Sequence, residues 1–332
     1  MELNSGRSGM SLLSLLASII GVPRRNPTRD RARWRLVIRC GLLFSCLLAG
    51  PSRGDEPEAP PEVRVLRGVP FTTYEDAKLP GRKHSLRADL YFPPGEVQGS
   101  IILIHGGGWV TGSKLQMSAH ARRFAKHGYL TMAIDYRLAP KYKFPAQIED
   151  CWAALRWLNQ RDAKWGIDPN KIAAVGYSAG GHLACLMGTT SPRDWGLEED
   201  LPQIRAVVAG GAPCNFEILP PDKSILANWL GGTRNEVPHQ YRKASPIVAV
   251  SSDDPPTFFY HGGDDQIVPS HISRQMALRL DAAGVPVEYY LCEEKGHIST
   301  FFDVQAGERS VQFLNRQMST RAADGSASQA RQ

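Results

Sequence analysis

The sequence is short of the features that mark metal, nucleotide or nucleic-acid proteins. It has six cysteines in 332 residues, and none forms a C-x-x-C or joins a Cys/His cluster with metal-ligand spacing. No bound metal or other cofactor is therefore expected. The apolar stretch Leu36–Gly50 is broken by Arg39 and is shorter than the roughly 20 residues that a bilayer-spanning helix needs. The Gly-rich run His105-Gly106-Gly107-Gly108-Trp109 lacks the Lys and Ser/Thr of a phosphate-binding loop. No internal repeat is visible. The formal charge of +6 is not spread over the chain: nine Arg against Glu2 and Asp30 give residues 1–54 a charge of +7, leaving −1 for the remainder. A nearly neutral domain does not point to a nucleic-acid partner.

What is present divides the chain into four parts. Arg24–Arg35 is followed by the apolar run and a small-residue end at Ala49-Gly50, the arrangement of a secretory signal. Residues 1–54 are expected to be a cleaved targeting segment. The protein would then be exported, with no stable membrane span left after cleavage. Residues 55–62 form a Pro-rich linker, 63–318 a single α/β domain, and 319–332 a small, polar, disordered tail. Cys40 and Cys46 would leave with the signal, and the spacing of Cys151, Cys185, Cys214 and Cys292 specifies no disulfide.

Within the domain, strand-like and helix-like segments alternate. Strands are expected at Ala88–Phe92, Ser100–His105, Tyr129–Asp135, Lys171–Gly176, Ala206–Gly210, Thr257–His261 and Val287–Leu291. The central ones are unbroken apolar runs, as in a parallel sheet covered on both faces. Helices are expected at Ser113–His127, Pro145–Arg161, Ala179–Gly188, Ser270–Ala283 and Ser310–Met318. Ile148, Trp152, Leu155 and Leu158 make one apolar stripe, and Ser270 and Gly284 serve as N-cap and stop of the fourth helix. The pattern predicts a mainly parallel, doubly wound sheet with helices on both faces. Residues 191–256 are less regular and are expected to cover the active-site end.

The chemistry concentrates at strand ends. Gly176-Tyr177-Ser178-Ala179-Gly180 stands between an apolar strand and a small-residue helix, the setting of a nucleophile elbow. That makes Ser178 the candidate nucleophile. The glycines of His105–Trp109 let backbone N–H groups approach a reacting carbonyl, so Gly107, Gly108 and Ala179 are the candidate oxyanion donors. His105 itself is read as structural. After Phe258-Phe259-Tyr260 come Asp264 and Asp265, either of which suits the orienting acid. After Tyr289-Tyr290-Leu291 comes Gly296-His297, where His297 is the candidate base, free of secondary structure. His261 lies too close to its strand to be preferred, and His120, His127, His239 and His271 are expected to face solvent. Trp109 and Tyr177 flank the candidate oxyanion loop and nucleophile, so they are candidate substrate-binding residues or core aromatics. Asp135, Arg137, Glu149 and Asp150 are expected to pair structurally beneath the cleft.

From about Leu90 to His297 the chain resembles an α/β-hydrolase of the carboxylesterase type, particularly the BD-FAE-like group of bifunctional feruloyl and acetyl-xylan esterases. The resemblance rests on Asp89-Leu90-Tyr91, His105–Trp109, Ile134–Leu138, Phe144–Asp150, Tyr177–His182 and His261–Pro269. In that family's H-G-x-x-D-x-x-V-P pattern the acid lies four residues after the histidine, which implies Asp265 rather than Asp264. The one departure is Ile298-Ser299-Thr300 after His297, where an aromatic often comes sooner. The resemblance implies a cofactor-free Ser-His-Asp hydrolase of short-acyl esters, acetyl or feruloyl, on small molecules or polysaccharides. An arylformamidase-like amidase and a non-catalytic binding module of the same fold are the alternatives. An exopeptidase would need an additional propeller domain.

Overall fold

The computed structural model describes residues 62–161, 165–198, 200–219 and 224–319. The expected signal, most of the linker and nearly all of the tail lie outside them. The described chain builds one eight-stranded sheet in the order β1-β2-β4-β3-β5-β6-β7-β8. Its strands are β1 (Arg64–Glu75), β2 (Lys83–Phe92), β3 (Gly99–Ile104), β4 (Tyr129–Ile134), β5 (Ile172–Tyr177), β6 (Ala206–Gly210), β7 (Thr257–Gly262) and β8 (Val287–Cys292). β1 and β2 pair antiparallel, and β2 pairs antiparallel with β4. From β4 to β8 every pairing is parallel. This is the α/β-hydrolase architecture, with all the parallel strands delivering their C-terminal ends to one edge, where ligands of open α/β sheets bind.

Alternation along β3 separates two cores. Ile102 and Ile104 pack on one face with α2 (Ala146–Asn159), α3 (Ala179–Thr189) and α6 (Ser270–Ala282). Ile101 and Leu103 pack on the other with α1 (Ser118–Lys126) and α8 (Val304–Ser319). A period-two strand sends successive side chains to opposite faces, and both faces are covered, so β3 to β7 are buried throughout. The predicted stripe of α2 is buried in full, with Ile148, Leu155 and Leu158 at 0% exposure and Trp152 at 2%.

The differences from expectation are local. β1 is a strand that apolar pattern did not reveal: it carries Gly68 and Pro70, is mostly exposed, and its register with β2 shifts twice. β2 begins at Lys83 because its polar first half is held by β1 rather than by the core. Pro269, not Ser270, occupies the N-cap of α6. α8 starts at Val304, where Asp303 accepts the Ala306 amide. The described part of residues 191–256 holds, besides β6, the short α-helices α4 (Ser224–Leu230) and α5 (Pro238–Lys243) and 3-10 turns at Pro192–Trp195 and Pro246–Val248. The four described cysteines are buried free thiols, Cys185 and Cys214 lying 3.8 Å apart.

Candidate active site

Ser178 sits between the last residue of β5 and the first of α3, at φ 55° and ψ −121°. A non-glycine residue rarely adopts this left-handed conformation, and such strain persists only where the surroundings fix it. Here they do: the Ser178 amide donates to Gly210 O at 2.7 Å and its carbonyl accepts the His182 amide at 2.9 Å. The flanking glycines are obligatory, since a Cβ on Gly176 would lie 2.2 Å from Gly180 O and one on Gly180 would lie 2.1 Å from Ile104 O. The tight turn leaves the serine side chain on the wall of a cavity of about 530 Å³ at the C-terminal edge of the sheet.

The glycine loop after β3 packs against this turn. A Cβ on Gly106 would meet Tyr177 O at 3.0 Å. Gly107, Gly108 and Trp109 all take positive φ, at 114°, 59° and 62°. Gly107 O accepts the Val110 and Thr111 amides, closing the loop on itself. Gly107, Gly108 and Ala179 line the same cavity as Ser178. His105 is buried at the base of the loop, its Nδ1 on Gly106 O at 2.7 Å and its ring stacked on Tyr136 at 4.1 Å. Burial lowers its pKa.

The candidate acid and base come from the ends of β7 and β8. Asp265 Oδ2 lies 2.6 Å from His297 Nδ1, and Asp265 Oδ1 accepts the Ile267 and Val268 amides at 2.9 Å each. Burial alone would raise this carboxyl, but hydrogen bonds from His261, His297 and the Val268 amide bring it well below the usual carboxylate range. Asp264, by contrast, is exposed. His261 is fully buried with both ring nitrogens engaged, Nδ1 with Ser273 Oγ and Nε2 with Val268 O. His297 is not outside secondary structure, as expected, but opens the short helix α7 (His297–Phe301). Gly296 O accepts the Thr300 amide and the Ser299 hydroxyl, forming a single turn too short to show in apolar periodicity.

Trp109 and Tyr177 both line the cavity, and both are also built into its support. The Tyr177 hydroxyl donates to His297 O, and burial raises its pKa. Trp109 is 3% exposed and stacks on Trp229 of α4 with centroids 3.9 Å apart and planes 3° from parallel. His182 and Phe216 meet Trp109 edge-on at 5.2 and 5.7 Å. Trp229 is held in turn by its Nε1–H, which donates to Gln147 Oε1 at 2.9 Å. Ile225 of α4 covers the glycine loop, its Cδ1 only 2.4 Å from where a Cβ on Gly108 would stand.

Sequence reasoning missed these covering residues, and also Ile298, Phe301 and Phe302, which line the cavity beside His297. The four charged residues assigned to pairing lie apart from the cavity lining. Arg137 bonds Asp150 and Glu149, and Asp135 takes Lys114 at 2.7 Å. His127, His239 and His271 are exposed. His120 is not: it is half-buried with its ring 4.5 Å from Phe301, because α1 packs against α7. Among the described residues no group of three or more His, Cys, Asp or Glu is placed to hold a metal ion, and no helix is long and apolar enough to cross a membrane.

The BD-FAE family model matches residues 88–280. Among curated proteins, the chain is 32% identical over 237 residues to Esterase LipC of Mycobacterium tuberculosis, covering 68% of this chain and 57% of that protein. It is 37% identical over 168 residues to Carboxylesterase NlhH of the same species, covering 49% of this chain and 45% of that one. The chain thus spans about half the length of the curated relatives it matches. Among solved structures, it resembles a truncated form of a carbohydrate esterase from gut microbiota, with TM-score 0.69 and 25% identity over 80% of this chain and 99% of that one. It also resembles the butyrate-bound Est2 esterase of Thermogutta terrifontis, with TM-score 0.62 and 26% identity over 81% and 99%. A family model that covers the strands carrying Ser178 and Asp265, on a sheet shared with these esterases, places the chain in the BD-FAE family of α/β-hydrolases.

Proposed function

We propose that the protein is a serine carboxylic-ester hydrolase acting on small-molecule esters of short acyl groups, acetyl or feruloyl in type. Ser178 Oγ attacks the ester carbonyl while His297 Nε2 accepts its proton. Asp265 holds the Nδ1–H tautomer and stabilises the imidazolium. The amides of Gly107, Gly108 and Ala179 take the charge that develops on the carbonyl oxygen. His297 then protonates the departing alcohol, and the acyl-enzyme is hydrolysed by water that the same imidazole activates. The observation that carries this reading is the 2.6 Å contact of Asp265 on His297 Nδ1, which leaves Nε2 for the cavity that His297 shares with Ser178. A cavity of about 530 Å³ is within the size range of small-ligand sites and admits an aromatic acyl group as well as an acetyl.

The test is hydrolysis of p-nitrophenyl esters from C2 to C12 by wild type and Ser178→Ala. Turnover strongest on the short chains and lost in the variant supports the reading. A folded wild type that leaves every ester intact refutes it and favours an amide substrate or a binding role. We also propose export, supported by the Arg-rich start and the apolar run that follows. N-terminal sequencing of material recovered outside the cytoplasm checks it, and a mature chain that retains residues 1–54 overturns it.

A further inference from the structure

The alcohol side of the cavity differs in chemistry from what a polysaccharide ester needs. The base defines that side, because His297 must reach the oxygen that leaves. Ile298 follows His297 in the chain, and Ile298, Phe302 and Ile267 line the same cavity at 64%, 68% and 58% exposure. These three large apolar side chains stand in water at the mouth of the cavity, and each is anchored at its backbone. Ile298 follows the base in α7, and Phe302 caps that helix, its ring edge-on to Phe301 at 4.9 Å. The Ile267 amide is bound by the same carboxylate that orients His297. Among the described lining residues, the side chains that can hydrogen-bond are Trp109, whose indole N–H is buried, and Gln116, Tyr177, Ser178 and His297. Tyr177 spends its hydroxyl on His297 O. The lip beside the base therefore offers contact area and no hydrogen-bond partners of its own.

We infer that this lip selects esters of apolar alcohols, phenols or alkanols, over acyl groups carried on sugar hydroxyls. This rests on the esterase reading above and specifies its leaving group. An apolar alcohol removes Ile267, Ile298 and Phe302 from water as it binds, which is favourable in proportion to the area covered. A sugar in the same place surrenders hydrogen bonds to water and finds none in return.

The experiment holds the acyl group constant and varies the alcohol. Benzyl acetate, hexyl acetate, methyl mono-O-acetyl-xyloside and acetylated xylan are compared by kcat/KM, with wild type, Ile298→Ser and Phe302→Ser. Benzyl or hexyl acetate is expected to exceed the sugar acetates by about tenfold or more, the worth of some tens of Å² of covered apolar surface. In the serine variants that ratio falls toward one, chiefly through KM of the apolar ester. Comparing the two apolar acetates shows whether the lip prefers a ring or a chain. Because the measurement is a ratio on one protein sample, the folded fraction of a variant does not enter it. Sugar acetates cleaved as well as the apolar ones, or a ratio that both variants leave unchanged, overturns the inference while leaving the esterase reading intact. Loss of every acetate as substrate would instead remove the esterase reading itself.

Discussion

The hydroxyl of Tyr177, the residue before the candidate nucleophile, donates a hydrogen bond to the backbone carbonyl of His297, the candidate base. The elbow and the base arrive from different strands, β5 and β8, which do not neighbour each other in the sheet. One phenol thus ties the two together across the site, with its ring packed between Tyr260 and Phe301.

Removing that hydroxyl in Tyr177→Phe leaves the ring packing in place and deprives a carbonyl of its donor. A fall of about tenfold in kcat with little change in KM is expected, together with about 1–2 kcal/mol of lost stability. Steady-state kinetics and urea denaturation check both. An unchanged kcat would mean that α7 holds its position without the phenol.

Asp265 and Asp264 are adjacent in sequence and opposite in setting, one buried against His297 and the other exposed. Asp265→Asn is expected to lower kcat by about 10³–10⁴-fold, since the amide no longer enforces the Nδ1–H tautomer or balances the imidazolium. Asp264→Asn is expected to change it by less than about twofold, as surface substitutions away from such features usually do little. Equal losses in the two would contradict the assignment.

Trp229 supports the candidate oxyanion loop through its stack on Trp109. Trp229→Ala removes a fully buried indole and is expected to cost about 3–5 kcal/mol. Trp229→Phe keeps part of the stack and is the more informative variant: a kcat deficit that persists in fully folded protein, seen by near-UV circular dichroism, would show that the loop needs the whole indole of Trp229, with its bond to Gln147, behind Trp109.

His120 makes a pH prediction. Burial first, then the charge of Arg123, lowers its pKa from 6.5 to about 4, against the pull of its bond to Phe301. The folded value lies below the unfolded one, so the unfolded chain takes up the proton first. The stability associated with neutral His120 is complete above about pH 6.5 and declines as pH falls towards 4. Buried His182, lowered to about 3, extends the same trend. Wild type is expected to lose on the order of 2 kcal/mol more than His120→Gln between pH 7 and pH 4. Urea midpoints at the two pH values test it, and parallel losses would refute it.

The parts of the site that were legible in the sequence are those whose geometry is local. Gly176 has no room for a Cβ because Gly180 O, four residues on, would lie 2.2 Å from it, and Gly107 has none because Thr111 O, also four residues on, would lie at 2.1 Å. The parallel strands showed because burial on both faces forces unbroken apolar runs. The cover did not show. Ile225 and Trp229 sit on a seven-residue helix in a stretch of mixed composition, and their function depends on meeting Gly108 and Trp109, far away in the chain. Nothing in the spacing of α4 encodes that meeting. α7 was missed for a similar reason: five residues cannot display a helical period, and of its two apolar side chains only Phe301 packs on the core while Ile298 is exposed.

The irregular first strand has a consequence for how the molecule behaves among copies of itself. β1 ends the sheet, and a regular edge strand is a template on which another chain can pair and begin to aggregate. β1 is a poor template: Pro70 lacks an N–H, two register shifts break the ladder, and Arg64, Arg67 and Glu75 place charge along it. The same defects that hid the strand from apolar pattern make its outer edge a poor site for recruiting a neighbour.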